Sequence, residues 1–347
     1  MRRPRLPSPH QYIDRLTGRV VDEQLVADRL VGFLYNQVRE RAGRVFEALT
    51  SPRASSLLGW LRYDLSLARS RGGEELLARL GADPAELLDE PAALDTARKV
   101  FERRLRYWDC RPLDPEPDAV ASPCDARLLM GSLGETSALF IKDKFFDLAE
   151  LLGGGNRRWV RAFRGGDFAL FRLTPDKYHY NHAPVSGAVM DHYRVEGRHH
   201  SCNPQVVLSL AEPCSKNQRH VTIIDSDLPG GSRAGLVAMV EVVALMIGAV
   251  EQCYSERGYE DPQPMRPGLW LRRGQPKSLF RPGSSTVVLL FQPGRVSFDR
   301  DLLTNLRAPA VRSRFSRGLG ETLVETDVRV RSRIALARPP ASPNPGE

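Results

Sequence analysis

The sequence lacks a paired-cysteine framework, a secretion signal and an apolar run long enough to cross a bilayer. Its five cysteines form no CxxC pair, which fits a reducing compartment and offers no zinc framework. The N-terminus is basic but has no apolar segment, so no secretory signal is predicted. The most apolar stretch, 236–250, is too short for a span and contains Glu241. We therefore expect a cytoplasmic protein whose membrane contact is peripheral.

Aromatic residues are also sparse, at 7%, and no aromatic–basic motif for nucleic acid occurs. Charged residues make up 27% of the chain, which argues against a membrane-spanning protein. The net charge of +8 suits an anionic partner such as an anionic membrane surface. A solvated surface rich in arginine would give the same charge. Nucleic-acid binding is not predicted, because charge is its only support.

The pattern along the chain predicts an α+β protein. Apolar positions at spacings of three and four, from about Asp22 to Ala97, predict helices. One interpretation is that these helices pack on the core. The other is that they lie on a membrane surface, because arginines at 39, 41 and 44 stand among apolar residues. The predicted regions are a disordered N-terminus (1–11), a helical region (12–110), a β-rich core (111–337) and a disordered tail (338–347).

Short apolar or alternating runs, separated by glycine and proline, fill the β-rich core and predict strands. A short helix ending in glycines is predicted at 148–154. The strand-like runs are 126–133, 137–143, 168–174, 187–195, 205–211, 220–225, 236–250 and 285–291.

Two polar features could carry chemistry. His179 and His182 lie three apart between Pro175 and Pro184. A metal site would need further ligands than this pair, whereas general acid–base work needs one histidine, and both could simply be satisfied structural residues. Asp125 stands in an otherwise apolar run. It could cap a turn, pair with an arginine such as Arg127, or orient a histidine as in a catalytic triad.

The segment 280–294 is the most informative. A Pro-Gly turn is followed by Ser284, Ser285 and Thr286 and then by an apolar strand. A polar turn entering a strand is one interpretation. The other is backbone chemistry, in which a serine hydroxyl attacks the preceding carbonyl, the resulting ester eliminates, and the new N-terminus becomes a pyruvoyl group. A tight turn favours the attack and a nearby base must take the hydroxyl proton.

Together and in order, these segments resemble the phosphatidylserine decarboxylase family, from about Tyr12 to about Ala335. SPCDARLL resembles the family's SPADG segment, LTPDKYHYNHAPVSG its L-x-P-x-D-Y-H-R-x-H-x-P-x-x-G segment, and GSSTVVLLFQPG its cleavage segment. The resemblance implies a triad of Asp125, His182 and Ser285, in which His182 is also the first candidate for the acid of the second stage, with His179 as the reserve. It favours a cut before Ser285, and a cut before Ser284 is the competing register.

The resemblance implies two stages. First, His182, oriented by Asp125, takes the Ser285 proton, and the chain is cut into a large chain and a small chain that stay together. Second, the pyruvoyl cofactor made from Ser285 forms a Schiff base with phosphatidylserine in an anionic membrane, giving phosphatidylethanolamine and carbon dioxide. No metal is expected.

Departures from the family pattern leave alternatives open. The lead-in to the cut has Pro276 where the family has glutamate and Ser278 where it has glycine, and Val243 and Gln218 replace a further glycine and glutamate. The alternatives are a pyruvoyl enzyme for a soluble amino acid or another serine-headgroup lipid, an uncleaved non-enzymatic relative, and a metal hydrolase using the two histidines. The sequence also leaves open whether the chain forms a homodimer.

Overall fold

The structure is a computed structural model of the 347-residue chain. It describes residues 9–23, 72–134, 146–197, 204, 213–243, 249–282 and 285–338. Every structural statement below concerns these residues.

Strands outnumber helices in the described residues. The strands are β1 (Gln11–Asp14), β2 (Val20–Asp22), β3 (Ala119–Ala121), β4 (Ala126–Ser132), β5 (Asp167–Leu173), β6 (Tyr180–His182), β7 (Gly187–Val195), β8 (Arg219–Asp225), β9 (Leu236–Val243), β10 (Val250–Gln252), β11 (Trp270–Leu271), β12 (Pro276–Phe280), β13 (Ser285–Phe291), β14 (Val296–Phe298), β15 (Thr326–Val328) and β16 (Arg333–Ala337). The helices are α1 (Gly72–Arg79), α2 (Ala97–Phe101), α3 (Tyr107–Cys110), α4 (Leu148–Leu151), α5 (Arg157–Phe163), α6 (Pro213–Lys216), α7 (Arg300–Leu306) and α8 (Arg314–Leu319).

A ten-stranded sheet forms the centre, in the order β11-β7-β8-β9-β13-β5-β4-β15-β1-β2. Its neighbours are antiparallel, except for the parallel pair β1 and β15. Antiparallel order suits short connections and needs no crossover helix. The sheet therefore brings segments from both ends of the chain together.

Strand β13 lies between β9 and β5 and is buried along its whole length. Its sequence, STVVLLF, is rich in branched and aromatic side chains, which pack well on a pleated surface. Where β5 begins, the backbone of Gly166 approaches β13 so closely that a Cβ would lie 1.9 Å from the Phe291 carbonyl oxygen. Glycine is therefore required at that contact.

Two smaller sheets complete the architecture. One has the order β10-β12-β6 and pairs the histidine-containing segment with the segment that leads into β13. The other has the order β14-β16-β3 and joins the end of the described chain to the segment before β4. The first of these sheets positions the candidate site.

The largest apolar cluster joins the central strands to α4 and α5 through residues such as Leu151 and Phe163. The side chain of Asp147 caps α4 by accepting a hydrogen bond from Glu150 N at 2.6 Å. Gly153 follows the helix with φ of +79°, a value that glycine adopts readily. The predicted short helix at 148–154 is thereby confirmed.

Most strand predictions are confirmed, and so is the α+β class. Six of the eight predicted runs contain β4, β5, β7, β8, β9 and β13, while 137–143 and 205–211 lie outside the described residues. Two residues of the segment predicted to be disordered belong to the folded structure, since His10 is buried and β1 starts at Gln11. Strands β1 and β2 also lie within the region expected to be helical.

The predicted N-terminal helices fall largely on residues 24–71, which lie outside the described part of the chain, as does nearly all of the tail from 338. Helices are present in the remainder of that region, beginning with α1. None of the helices in the described ranges combines the length and the apolar character that crossing a membrane requires.

Candidate active site

Ser285 is the first residue of β13, at the centre of the large sheet. It is 1% exposed and pairs with Leu173 on one side and Val243 on the other. Ser284 lies outside the described residues. The serine predicted to become the pyruvoyl group therefore stands at the start of a strand that is buried at every residue.

The small sheet brings the two predicted histidines to the other end of that connection. His182 pairs with Pro276, and the backbone N–H of Phe280 donates to the His179 carbonyl at 3.0 Å. Only four residues separate Phe280 from Ser285. Antiparallel pairing of β6 and β12 thus places both histidines beside the strand that leads into the predicted cut.

His182 is fully buried and bonded at both ring nitrogens. Its Nδ1 lies 2.9 Å from the Gly274 carbonyl oxygen, and its Nε2 lies 3.0 Å from the Tyr178 hydroxyl. A carbonyl can only accept, so Nδ1 carries a hydrogen and Nε2 is the basic nitrogen of the neutral ring. Burial is the largest influence and lowers the pKa of His182 to about 3, although the bond to Gly274 acts in the opposite direction.

His179 is also fully buried, but its surroundings differ. Its ring stacks on Phe101, with centroids 3.5 Å apart and planes at 27°. Neither ring nitrogen has a hydrogen-bond partner among the described residues. Burial, followed by the nearby charge of Arg103, lowers the pKa of His179 to about 3. The structural interpretation, a histidine whose bonds are satisfied, does not fit this residue within the described chain.

Asp125 is held by an arginine rather than by a histidine. Arg111 donates to both carboxylate oxygens, at 3.2 and 3.0 Å, and the Val330 N–H donates to Oδ1 at 2.7 Å. Burial alone would raise the pKa of Asp125, but the charge and hydrogen bonds of Arg111 outweigh it and hold the pKa below its ordinary value. The carboxylate is therefore ionised at neutral pH.

These contacts correct one detail of the sequence prediction. Asp125 makes no hydrogen bond to His182, whose Nδ1 is directed at the Gly274 carbonyl instead. The arginine that pairs with Asp125 is Arg111, whereas Arg127 forms an ion pair with Asp327. Asp125 acts on His182 through its charge, which tends to raise the pKa of that imidazole.

A cavity of about 250 Å³ lies beside Asp125. Arg103, Arg111, Lys177 and Tyr178 are among the side chains that line it. Since Tyr178 also bonds His182, one side chain joins this polar cavity to the buried imidazole. Polar groups other than the predicted residues therefore surround the site.

A buried ion pair, which the sequence prediction missed, lies near Ser285. Glu241 and Lys277 are each 0% exposed, and Lys277 Nζ lies 2.8 Å from a Glu241 oxygen. The Ser278 hydroxyl donates to the other oxygen of Glu241, and Gln252 Nε2 donates to the first at 2.9 Å. The sequence did contain signals of this pair, namely a glutamate within the apolar run that forms β9 and a lysine within the segment that forms β12.

The ion pair faces the same side of the sheet as Ser285. Glu241 is opposite Val287 and Ser285 is opposite Val243, so Glu241 and Ser285 are diagonal neighbours on one face. The Cβ atoms of such neighbours lie about 7–8 Å apart. Ser278, a departure from the family pattern, is thereby explained as a hydrogen-bond donor to Glu241.

One group in the described residues has metal-ligand chemistry. His10, Glu23 and Glu325 offer ligand atoms within 4.8 Å of one another. Arg172, however, places its Nη2 at 2.6 Å from an oxygen of each glutamate and so supplies the positive charge there. His179 and His182 do not belong to this group.

Comparison with known proteins places these features in a family. The family model described as phosphatidylserine decarboxylase matches residues 97–317. A Chlamydia trachomatis protein named phosphatidylserine decarboxylase proenzyme is 30% identical over 318 residues, covering 89% of this chain and 96% of its own length. A Bordetella petrii protein of the same name is 34% identical over 229 residues, covering 63% and 76%. An Azotobacter vinelandii protein, also of that name, is 32% identical over 250 residues, covering 69% and 82%.

The matched range contains Asp125, both histidines and Ser285, together with the strands β6, β12 and β13. The Chlamydia relative extends the similarity over nearly its whole length. The chain therefore belongs to the phosphatidylserine decarboxylase family.

Proposed function

We propose that this chain is a self-cleaving, pyruvoyl-dependent phosphatidylserine decarboxylase that forms phosphatidylethanolamine and carbon dioxide. We include in the proposal a cut before Ser285 and peripheral association with an anionic membrane on the cytoplasmic side. The observation that carries it is the position of Ser285, at the entry to the central strand and five residues beyond Phe280, whose backbone N–H contacts the His179 carbonyl.

In the first stage, His182 is the general base. The Tyr178 hydroxyl turns its hydrogen away from Nε2, and Nε2 then takes the proton. The Ser285 oxygen attacks the Ser284 carbonyl, and the peptide C–N bond gives way to an ester C–O bond. Loss of the Ser285 α-proton then breaks the bond between Cβ and the ester oxygen, leaving a carboxylate on Ser284 and dehydroalanine at 285. Tautomerisation and addition of one water release ammonia and leave the pyruvoyl carbonyl.

Residue 285 fits the group that this reaction makes. It is buried, it begins a strand held on both sides, and its face of the sheet carries the Glu241–Lys277 pair. A pyruvoyl group there would supply an electrophilic carbonyl that can take up the electrons left by the departing carboxylate. The surrounding residues would exclude water and orient the substrate amine.

In the second stage, phosphatidylserine loses carbon dioxide and gains one proton at the α-carbon. His179 is our candidate for the proton donor, with His182 as the other candidate, since both rings lie beside the strand leading to Ser285. The ring nitrogens of His179 bind no partner in the part of the chain that the structure describes, so they are available to a group that enters the site. The net charge of +8 supports binding to an anionic lipid surface.

Denaturing mass spectrometry of the purified chain tests the first stage. We expect two chains, the smaller being residues 285–347 with a pyruvoyl start. Ser285→Ala should remain intact, whereas Ser284→Ala should still be cut. A small chain that begins at residue 284 would move the pyruvoyl group by one position, and an intact wild-type chain would refute self-processing and favour an uncleaved relative.

Release of carbon dioxide tests the second stage. Carboxyl-labelled phosphatidylserine in vesicles with anionic lipid should lose its label, and free serine and other free amino acids should not. Loss of label from a free amino acid, with none from the vesicles, would assign the cleaved protein to a soluble substrate. Sedimentation with the same vesicles measures the membrane association separately.

A further inference from the structure

Two tyrosine hydroxyls extend from the candidate base to the protein backbone. The Tyr178 hydroxyl lies 3.0 Å from His182 Nε2 and 2.7 Å from the Tyr259 hydroxyl. The Tyr259 hydroxyl in turn lies 2.8 Å from the Leu105 carbonyl oxygen and accepts from the Leu105 N–H at 3.0 Å. Each step is within hydrogen-bonding distance, so the chain is continuous.

Tyr259 comes from a part of the sequence that carries none of the family motifs. It lies in the connection between β10 and β11, which isolated bridges between Tyr254 and Gln263 and between Arg257 and Glu260 hold in a hairpin-like form. Gly258, with φ of +73°, permits the turn that precedes it. The contact with Tyr178 joins positions 81 residues apart, so it depends on the folded chain.

The hydroxyl chain can satisfy His182 in both of its protonation states. In the neutral state, Tyr259 turns its hydrogen from the Leu105 carbonyl to Tyr178, and Tyr178 donates to the bare Nε2. In the protonated state, Nε2 donates to Tyr178, Tyr178 donates to Tyr259, and Tyr259 donates to the Leu105 carbonyl. Only hydroxyl hydrogens turn, because each tyrosine has one hydrogen to donate and can accept in either state.

We propose that Tyr178 and Tyr259 form a hydroxyl relay that stabilises the protonated state of His182 during self-cleavage, with Tyr259 as a positioning residue. The proposal rests on the proposed function for the source of the proton, the Ser285 hydroxyl. The bond to Gly274 stays in place in both states, so the ring does not rotate.

The relay addresses a specific electrostatic difficulty. The charged groups acting on the buried ring are Arg331 and Arg111, which disfavour its protonation, and Asp125, which favours it. Arg111 already binds Asp125, which leaves little net negative charge for an imidazolium. Reoriented hydroxyl dipoles supply acceptors without burying another charge, and hydrogen bonds to charged groups are stronger than those between neutral groups.

The test compares Tyr259→Phe with Tyr180→Phe. The Tyr180 ring stacks on Tyr178 at 5.5 Å and meets Tyr259 edge-on at 4.9 Å, but in the described part of the chain its hydroxyl bonds neither residue. Tyr180→Phe is therefore the same chemical change in the same aromatic cluster. We expect Tyr259→Phe to slow self-cleavage of freshly synthesised chain roughly tenfold or more, and Tyr180→Phe to leave the rate near that of the wild type.

A second measurement does not depend on cleavage. The measurement is NMR of the imidazole nitrogens in the Ser285→Ala chain. His182 should be in its Nδ1–H form in that chain and also when Tyr259→Phe or Tyr180→Phe is added. The acid titration midpoint of His182 should fall by about one pH unit with Tyr259→Phe and stay unchanged with Tyr180→Phe. Changed packing alone would not produce that difference.

The outcomes separate the two proposals. An unchanged cleavage rate and titration midpoint in Tyr259→Phe would overturn the relay, as would equal effects of the two variants. A wild-type chain that never cleaves would overturn the proposed function, while the titration of His182 would still decide whether the relay exists.

Discussion

The buried pair of Glu241 and Lys277 allows a sharp test of how charge is accommodated beside the candidate site. Lys277→Met would leave the Glu241 carboxylate with only the Ser278 and Gln252 hydrogen bonds, in a place with no exposure to solvent. Burial alone would raise the pKa of Glu241, but the Lys277 charge and these hydrogen bonds hold it below its ordinary value. Removing the lysine therefore leaves a charge that the site cannot solvate.

The expected size follows from the asymmetry between breaking and replacing such a pair. Breaking a buried pair by removing one partner costs about 3–5 kcal/mol, whereas replacing both charges with apolar groups of similar volume is often neutral or stabilising. We therefore expect Lys277→Met to destabilise the chain by about 3–5 kcal/mol. The double variant Glu241→Met with Lys277→Met should recover most of that loss.

Equilibrium urea unfolding is the assay, in the Ser285→Ala background so that one intact chain unfolds. Glu241→Met alone provides the fourth corner of the double-mutant cycle. A loss below about 1 kcal/mol in Lys277→Met would show that the carboxylate reaches water or is protonated. A double variant as unstable as the sum of the single variants would refute the pairing as the source of the effect.

Two further predictions concern the histidines. Gly274 has φ of +78°, its carbonyl accepts from His182, and an added Cβ would lie 2.8 Å from Leu113 Cδ1, so Gly274→Ala should cost more than the backbone penalty of about 1–2 kcal/mol and slow self-cleavage. Gly268→Ala, at φ of +82° with open space around it, should cost only that backbone penalty and cleave normally. Equal cleavage in the two glycine variants would contradict the role of that carbonyl. Burial lowers the pKa of both His179 and His182 to about 3, whereas an unfolded histidine titrates near 6.5, so stability should be full above about pH 6.5 and fall as the pH drops towards 3. His179→Phe in the Ser285→Ala chain should make the free energy of unfolding fall less steeply, by about 1.4 kcal/mol per pH unit between pH 4 and 6, as measured by urea unfolding. If the pH dependence of that free energy did not change, His179 would not be buried as a neutral ring.

The central strands could be predicted because their signals are local. The run from Ser285 to Phe291 is apolar and bounded by turn residues, and it became β13 with the expected bounds. Such features depend on neighbouring residues and on composition, which the sequence displays directly. The pairing of the histidine segment with the strand that leads into β13 was not among the predictions, because it joins positions far apart in the sequence.

The partners of the candidate residues could not be predicted, because they come from distant parts of the chain. Asp125 meets Arg111 across a connection of 14 residues, and Val330 joins it from 205 residues away. Nothing in the spacing favours Arg111 over Arg127. The hydrogen bonds of His182 likewise depend on the loop geometry at Gly274, which only the folded chain defines.

The position of β13 has a consequence for how the mature protein resists unfolding. All seven of its residues pair with β9 and also with β5. A cut before Ser285 would therefore leave this strand of the smaller chain hydrogen-bonded on both sides to strands of the larger chain. Separation would require both ladders to open together, and rejoining would be a bimolecular event. The uncut chain would then be the form that folds reversibly, and the mature enzyme would persist through a slow rate of opening rather than through an equilibrium with its separated parts.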